Sequence, residues 1–177
     1  PYLCNMNLAY RHLLPENFSP QSRVWIYQAS RLLSMGEALQ AEEMINGFIA
    51  GWHSHGTPVK GAGYLFFGQF VILMADETAT GVSGCSTDSS VYLVREIEKR
   101  FGISMFDRLS LAFIVKDKIQ LLPLSQLSYA FDNGFLTAAT LYFNNTVATK
   151  QELEKNWIIP VQDSWLASRI PAGTGKD

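Results

Sequence analysis

Residues 70–101 read FVILMADETATGVSGCSTDSSVYLVREIEKRF, and they predict a strand, a glycine-bearing loop and a helix in succession. Phe70–Ala75 is a continuous apolar run of the kind that forms a buried strand. The apolar residues that follow the loop have the spacing of a buried helical stripe, in a helix that we expect over about Ser86–Phe101. Gly102 is the expected stop of that helix.

The elements around this stretch predict an α+β fold. We expect a helix that begins with the capping box of Ser34 and Glu37 and stops at Gly56. We expect a tight turn at Gly68-Gln69 and strands over Arg23–Ser30, Lys60–Phe67, Phe70–Asp76, Leu109–Val115 and Ile119–Leu122. The order is that of a ferredoxin-like βαββαβ core, an antiparallel sheet with helices on one face, followed by an extra strand and a C-terminal helical extension.

Three segments make up the expected domain organisation: an N-terminal arm over residues 1–22, a single domain over residues 23–168, and a frayed tail over residues 169–177. Within the C-terminal extension, Ser125 predicts a short helix. Thr149 and Glu152 form a second capping box, with a helix through about Asn156.

Charge is sparse in this chain. Charged residues make up 17% of the sequence, against an average of about 25%, and the formal net charge is −2. No basic stripe is present, so nucleic-acid binding is not expected. Arg95, Lys99 and Arg100 alternate with acidic residues and indicate a solvated helix face. A surface with few charges favours a subunit interface, and we expect a homodimer.

The two cysteines, Cys4 and Cys85, are too few for a disulfide scaffold. The uncharged run over residues 61–75 is too short to span a bilayer, which takes about 20 residues. No signal sequence is visible. We therefore expect a cytoplasmic protein without a membrane partner.

A small anionic ligand is the first candidate for the Gly81–Ser90 loop. Glycines let backbone N–H groups approach an oxyanion, and hydroxyls add donors. The predicted ligand-binding residues are Asp76, Ser83, Gly84, Ser86, Thr87, Ser89 and Ser90. The alternative is structural: Ser86 caps the helix and Asp88 stabilises its first turn.

Nucleophilic catalysis is the second candidate. Cys85 precedes the expected helix start, and His53 and His55 end the preceding helix, so antiparallel helices would bring thiol and imidazole together. Asp88 or Asp76 would orient the imidazole, and backbone N–H groups of residues 86 and 87 would serve as oxyanion donors. The alternative is a small buried thiol, which is what most cysteines are.

A metal site is the third candidate, formed by His53, His55, Asp76 and Glu77. The alternative is that histidines at a helix C-terminus interact with the helix dipole, and we assign no metal. No P-loop, G-x-S-x-G or G-x-G-x-x-G motif occurs, and the sequence identifies no cofactor.

Several motifs together resemble a group of short, uncharacterised bacterial proteins that often carry the label "ABC transporter ATPase". These motifs are WHSHG (52–56), ADE (75–77), GCSTDSS (84–90), FDR (106–108), FNNTVATK (143–150) and PVQDSW (160–165). The resemblance covers about residues 23–168 and implies no established activity. It conflicts with the label, because an ATPase of that kind needs the Walker lysine loop that this chain lacks.

The sequence thus predicts a binding or interaction domain with its site at the Gly81–Ser90 loop. The alternative is a small cysteine-dependent hydrolase or acyl-transfer enzyme.

Overall fold

The computed structural model describes residues 6–78 and 84–173. The contacts divide the chain into two compact units, where the sequence led us to expect one domain over residues 23–168. The larger unit comprises Ala9–Asp107 and Val147–Glu154, and the smaller unit comprises the described residues 6–8, 108–146 and 155–173. The chain therefore leaves the larger unit and returns to it once.

The larger unit consists mainly of strands and two long helices. Its elements are β1 (Arg23–Gln28), α1 (Met35–Gly51), β2 (His53–Ser54), β3 (Thr57–Pro58), β4 (Lys60–Phe66), β5 (Phe70–Asp76) and α2 (Gly84–Phe101). β1, β5 and β4 form a three-stranded antiparallel sheet in that order, and β2 and β3 form a separate hairpin. Because β5 is the middle strand, it is buried along its whole length, as its continuous apolar run predicts.

The start of α1 is the one that the capping box predicts. The Ser34 hydroxyl accepts a hydrogen bond from the Glu37 backbone N–H (3.2 Å). The predicted stop at Gly56 is wrong, because α1 ends at Gly51. Gly56 instead lies in the β2–β3 turn with a φ of +78°, a conformation that glycine adopts without steric cost.

The β4–β5 hairpin is confirmed, with its turn one residue earlier than predicted. Phe67 and Gly68 both have positive φ, at 55° and 64°, and the Gln69 N–H donates to the Phe66 carbonyl (3.1 Å). Positive φ at both central residues defines the turn type whose twist matches that of antiparallel strands.

Both faces of the three-stranded sheet are covered. On one face, Tyr27, Val71 and Leu73 pack with α1 and α2 through a buried cluster that includes Ile45, Val94 and Ile97. The N-terminal segment, expected as an arm, instead contributes three buried side chains to the larger unit, Tyr10, Leu14 and Phe18. The Tyr10 ring lies 5.8 Å from that of Phe66, and its hydroxyl donates to the Leu153 carbonyl.

The smaller unit is built on a four-stranded antiparallel sheet of order β7-β6-β8-β9. Its elements are β6 (Ser110–Val115), β7 (Lys118–Pro123), α3 (Leu127–Asp132), β8 (Leu141–Phe143) and β9 (Ile158–Pro160). Between β8 and β9 the chain forms a further helix, α4 (Lys150–Asn156), whose residues up to Glu154 belong to the larger unit. The capping box at its start is confirmed: Thr149 Oγ1 accepts from the Glu152 N–H (3.2 Å), and Glu152 Oε2 accepts from the Ala148 N–H (2.7 Å).

The α+β class with antiparallel sheets is confirmed, and the ferredoxin-like core is not. The strand expected to complete that core, β6, pairs with β7 and β8 in the second sheet, so the first sheet has three strands. The predicted C-terminal helical extension also contains two strands, β8 and β9. In the described ranges, no helix has the length and apolar character needed to cross a membrane.

Candidate functional site

Asp76, a predicted ligand-binding residue, ends β5 immediately before the glycine-bearing loop. Its side chain is 2% exposed and bonded at both oxygens. Oδ1 accepts from the Thr78 backbone N–H (3.1 Å) and the Thr78 hydroxyl (2.8 Å). Oδ2 accepts from Lys60 Nζ (3.0 Å) and the Ser19 N–H (3.2 Å). Asp76 therefore joins three segments of the larger unit, and its direct contact with a ligand stays a prediction.

These contacts also determine the protonation state of Asp76. Burial raises the pKa of the carboxyl group, but the hydrogen bonds from Thr78, Lys60 and Ser19 outweigh burial and hold the pKa well below its usual range. The carboxylate is thus ionised at neutral pH. An ionised carboxylate can hold together the segments of Lys60, Thr78 and Ser19, a contact that we call the Asp76 junction, but it has no proton to give as a general acid.

Lys60 completes this junction. Its ammonium group donates to the Asn17 carbonyl (2.8 Å) and lies 4.9 Å from the centre of the Phe18 ring. One cation thus links the N-terminal segment to the sheet by a hydrogen bond, an ion pair and a cation–π contact.

Helices α1 and α2 run antiparallel, as the nucleophilic hypothesis requires. Gln40, near the start of α1, accepts hydrogen bonds from Arg100 near the end of α2 (3.2 and 3.4 Å). Arg31, just before α1, donates to the carbonyl of Phe101, the last residue of α2 (2.9 Å). The end of α1 therefore lies at the same side as the start of α2.

The histidines lie on the short hairpin that follows α1. Cα atoms of β2 come within 8 Å of Cα atoms of α2. His53 is exposed, and its Nδ1 donates to the Gly51 carbonyl (2.7 Å). In the neutral ring this bond leaves Nε2 as the nitrogen with the lone pair. His55 follows in the turn with a φ of +49° and is also exposed.

The start of α2 differs from the prediction in a way that bears on ligand binding. The helix begins at Gly84, two residues earlier than expected, so Cys85 and Ser86 belong to its first turn. No acidic residue lies in that turn, and the exposed Asp88 falls beyond it. The structural alternative, in which Asp88 stabilises the first turn, therefore loses its basis.

The other residues predicted around this start have different surroundings. Thr87 and Ser89 are half-buried, whereas Ser90 is fully buried. The Ser90 hydroxyl donates to the Thr87 carbonyl (2.7 Å) and lies 3.2 Å from the Tyr27 hydroxyl on β1. Ser90 thus ties α2 to the sheet and does not share the exposed position of Asp88.

Some predicted positions fall wholly or in part outside what the structure describes. Gly81 and Ser83 lie outside the described residues. The backbone of Gly84, Cys85 and Ser86 forms the start of α2, but the side chains of Cys85 and Ser86 lie outside the description. Among the described residues, no three His, Cys, Asp or Glu side chains are grouped so that they could hold a metal ion.

Sequence reasoning missed an open groove of about 630 Å³ between α1 and α2. It is lined by Gln40, Glu43, Met44, Glu96, Lys99 and Arg100. The alternation of basic and acidic residues on α2 indicated only a solvated face. The contribution of α1 to the groove depends on the antiparallel packing, which no local pattern encodes.

No family model, curated protein or solved structure matches this chain.

Proposed function

We propose that this protein is a binding domain that takes a small anionic ligand at the start of α2. The observation that carries the proposal is the approach of the β2 histidine hairpin to α2, together with the absence of an acidic residue from the first turn of that helix. The first N–H groups of a helix have no partner within it, and the helix dipole favours negative charge there.

The residues that supply ligand contacts in this proposal come from two segments. From the loop and the first turns of α2 come backbone N–H groups and hydroxyls, with Ser83, Ser86, Thr87 and Ser89 as donors. From the hairpin come His55, whose ring N–H is a donor, and His53, whose Nε2 donates when the ring is protonated because Nδ1 is held by the Gly51 carbonyl. Glycines at 81 and 84 let the backbone approach the anion closely.

The cellular setting belongs to the same proposal. A chain with two cysteines and no membrane-spanning helix among its described residues fits the cytoplasm. Kinship with the bacterial group described above is also proposed, on the motifs that carry the resemblance.

Titration with inorganic phosphate at constant ionic strength tests the proposal. Backbone amide resonances of residues 84–87 should shift saturably in a ¹H–¹⁵N spectrum. Replacement of both His53 and His55 by alanine should weaken binding by about tenfold, which corresponds to about 1.4 kcal/mol. His12→Ala is the matched control, since this third histidine is exposed and lies on the N-terminal segment. Absence of saturable shifts at residues 84–87 would overturn the proposal.

A cysteine-dependent hydrolase or acyl-transfer enzyme is the second candidate. The specific observation in its favour is that Cys85 lies in the first turn of α2, where a helix N-terminus stabilises a thiolate. In this alternative Nε2 of His53 would act as the base, since Nδ1 is held by the Gly51 carbonyl.

Alkylation with iodoacetamide separates the two candidates. In the hydrolase, Cys85 should react rapidly below neutral pH, and His53→Ala should slow it, with Cys4 as the comparison thiol in the same chain. A Cys85 that reacts no faster than a free cysteine at every pH would exclude the enzyme and leave the binding domain.

A further inference from the structure

β4 is an uncovered edge of the three-stranded sheet. At the opposite edge, β1 is covered by the returning chain: the Val24 N–H donates to the Ala148 carbonyl and the Lys150 N–H donates to the Ser22 carbonyl, both at 2.9 Å. Within the part of the chain that the structure describes, β4 pairs with β5 alone. An edge strand presents a row of unpaired backbone N–H and C=O groups.

This edge lacks the features that usually prevent pairing with another chain. Its register with β5 is continuous from Lys60↔Asp76 to Phe66↔Phe70, so no bulge interrupts it. The strand contains no proline, and its single charge, on Lys60, lies at one end and is engaged by Asp76. An edge strand without a bulge, a proline or a central charge can form backbone hydrogen bonds with a strand of another chain.

We propose that β4 pairs antiparallel with β4 of a second copy of this chain, across a two-fold axis at Gly63. A two-fold axis perpendicular to the sheet relates the two strands, and directly opposite residues point to the same face of the sheet. One residue of each strand therefore lies opposite its own copy, next to the axis. Because β4 has seven residues, only its central residue, Gly63, lets all of them pair. Two three-stranded sheets then join into one sheet of six strands.

The side chains of β4 complement themselves in this register. Residues 60–66 read KGAGYLF, with small residues before the axis and large residues after it. Gly61 lies opposite Leu65 of the second copy, and Ala62 lies opposite Tyr64. Each of these two bulky side chains thus faces a small one.

The same edge carries apolar surface beyond the strand. A groove of about 190 Å³ runs between α1 and β4, with Leu13, Ile45 and Leu65 among its lining residues. Leu13 is 52% exposed although it is apolar. Glu42 and Asn46 also line this groove, and Leu13 is its exposed apolar side chain. An exposed apolar side chain beside an open, self-complementary strand fits a second copy of the chain.

Disulfide trapping tests the register. In a background with Cys4→Ser and Cys85→Ser, the double variant Ala62→Cys/Tyr64→Cys should form an interchain disulfide on mild oxidation, because opposite residues on paired strands have Cβ atoms close enough to bridge. Each single variant should remain uncrosslinked, since its thiol faces a residue without sulfur. Sedimentation of the unmodified protein should give twice the chain mass.

Two results would overturn the proposal. The first is a monomer at every concentration up to the solubility limit. The second is a dimer in which the double variant crosslinks no better than the single variants, which would place the interface elsewhere. If the double variant fails to fold, amide exchange of the unmodified protein decides: β4 amides should become protected as concentration rises, and concentration-independent exchange would exclude pairing. None of these readouts depends on anion binding.

Discussion

Lys60 and Asp76 are directly opposite each other in the β4–β5 register, and their side chains form an ion pair with 3.0 Å between Nζ and Oδ2. The pair closes the end of the hairpin from which the chain enters the glycine-bearing loop. The carboxylate is buried, whereas the lysine side chain is 39% exposed. Because the buried carboxylate has little access to water, the free energy of keeping it charged depends on the groups that bond to it.

Asp76→Asn should therefore destabilise the protein by about 2 kcal/mol at pH 7, the scale of hydrogen bonds to a buried charge. The pKa of Asp76 is lower in the folded chain than in the unfolded chain, where it is about 3.9. Its stabilising contribution is thus present above pH 3.9 and is lost as the pH falls toward the folded-state value. The free energies of unfolding of the unmodified protein and of Asp76→Asn should therefore approach each other at low pH. Urea denaturation across the acid range measures this difference.

Glu77→Gln is the control for that comparison. Glu77 pairs with Arg23 at 3.4 Å, with side chains 34% and 44% exposed, so its loss should change the free energy of unfolding by less than about 1 kcal/mol. Equal effects of the two substitutions would show that Asp76 does not hold the junction.

Gly63→Ala should destabilise the larger unit by about 1–3 kcal/mol through overpacking. A Cβ at residue 63 would lie 2.5 Å from Cγ2 of Ile45 and 3.0 Å from Cγ1 of Ile49. The cost should fall when Ile45 is also replaced by alanine, because the clashing atom is then absent, and thermodynamic cycles from urea denaturation measure that coupling.

Gly47→Ala is the matched control within α1. A Cβ at residue 47 meets nothing within 4 Å, so alanine should stabilise the helix by up to about 1 kcal/mol. If Gly63→Ala left the free energy of unfolding unchanged or raised it, as Gly47→Ala should, the close packing of α1 against β4 would be disproved.

Tyr27→Phe and Ser90→Ala should each cost about 1 kcal/mol, and the double variant should cost less than the sum. Their hydroxyls lie 3.2 Å apart in the core between β1 and α2. Tyr92→Phe, on the exposed face of α2, should leave stability unchanged. Strict additivity of the two core substitutions would show that the hydroxyl pair does not couple helix and sheet.

Tyr142→Phe should remove one late-titrating tyrosine from an ultraviolet difference titration. Burial raises the pKa of Tyr142, and the hydrogen bond from Trp165 Nε1 (3.2 Å) lowers it by less. Because the folded-state pKa exceeds the unfolded value of about 10, the neutral phenol stabilises the smaller unit below pH 10, and this contribution is lost as the pH rises through the folded-state value. Tyr129→Phe, on an exposed residue, is the control and should leave the late step that belongs to Tyr142 unchanged.

Much of the local structure could be predicted from particular residues. The apolar run of residues 70–75 predicts β5, which ends one residue later at Asp76, since a strand buried on both faces needs no polar alternation. The hydroxyls of Ser34 and Thr149 predict the starts of α1 and α4, because a cap depends only on residues within one turn. α2 begins two residues before the predicted Ser86, and the sequence does not resolve this start because several hydroxyl residues there are equally able to cap.

The pairing of strands could not be predicted in the same way. β6 has the same apolar, β-branched pattern whether it joins the first sheet or the second. Its pairing with β7 is a local hairpin, whereas its pairing with β8 depends on contacts between segments distant in sequence. The strands β8 and β9 could not be predicted, because a strand of three residues is too short to show the alternation of apolar and polar residues.

The same division holds for the candidate site. The sequence by itself determined which groups stand beside the start of α2, because loop residues and first-turn residues are neighbours along the chain. Only the tertiary structure decided that the histidine hairpin shares this end, that Asp76 is fully bonded to Lys60, Thr78 and Ser19, and that β4 is left as an open edge. These relations depend on the direction in which helices and strands pack, and packing direction is a property of long-range contacts rather than of local sequence.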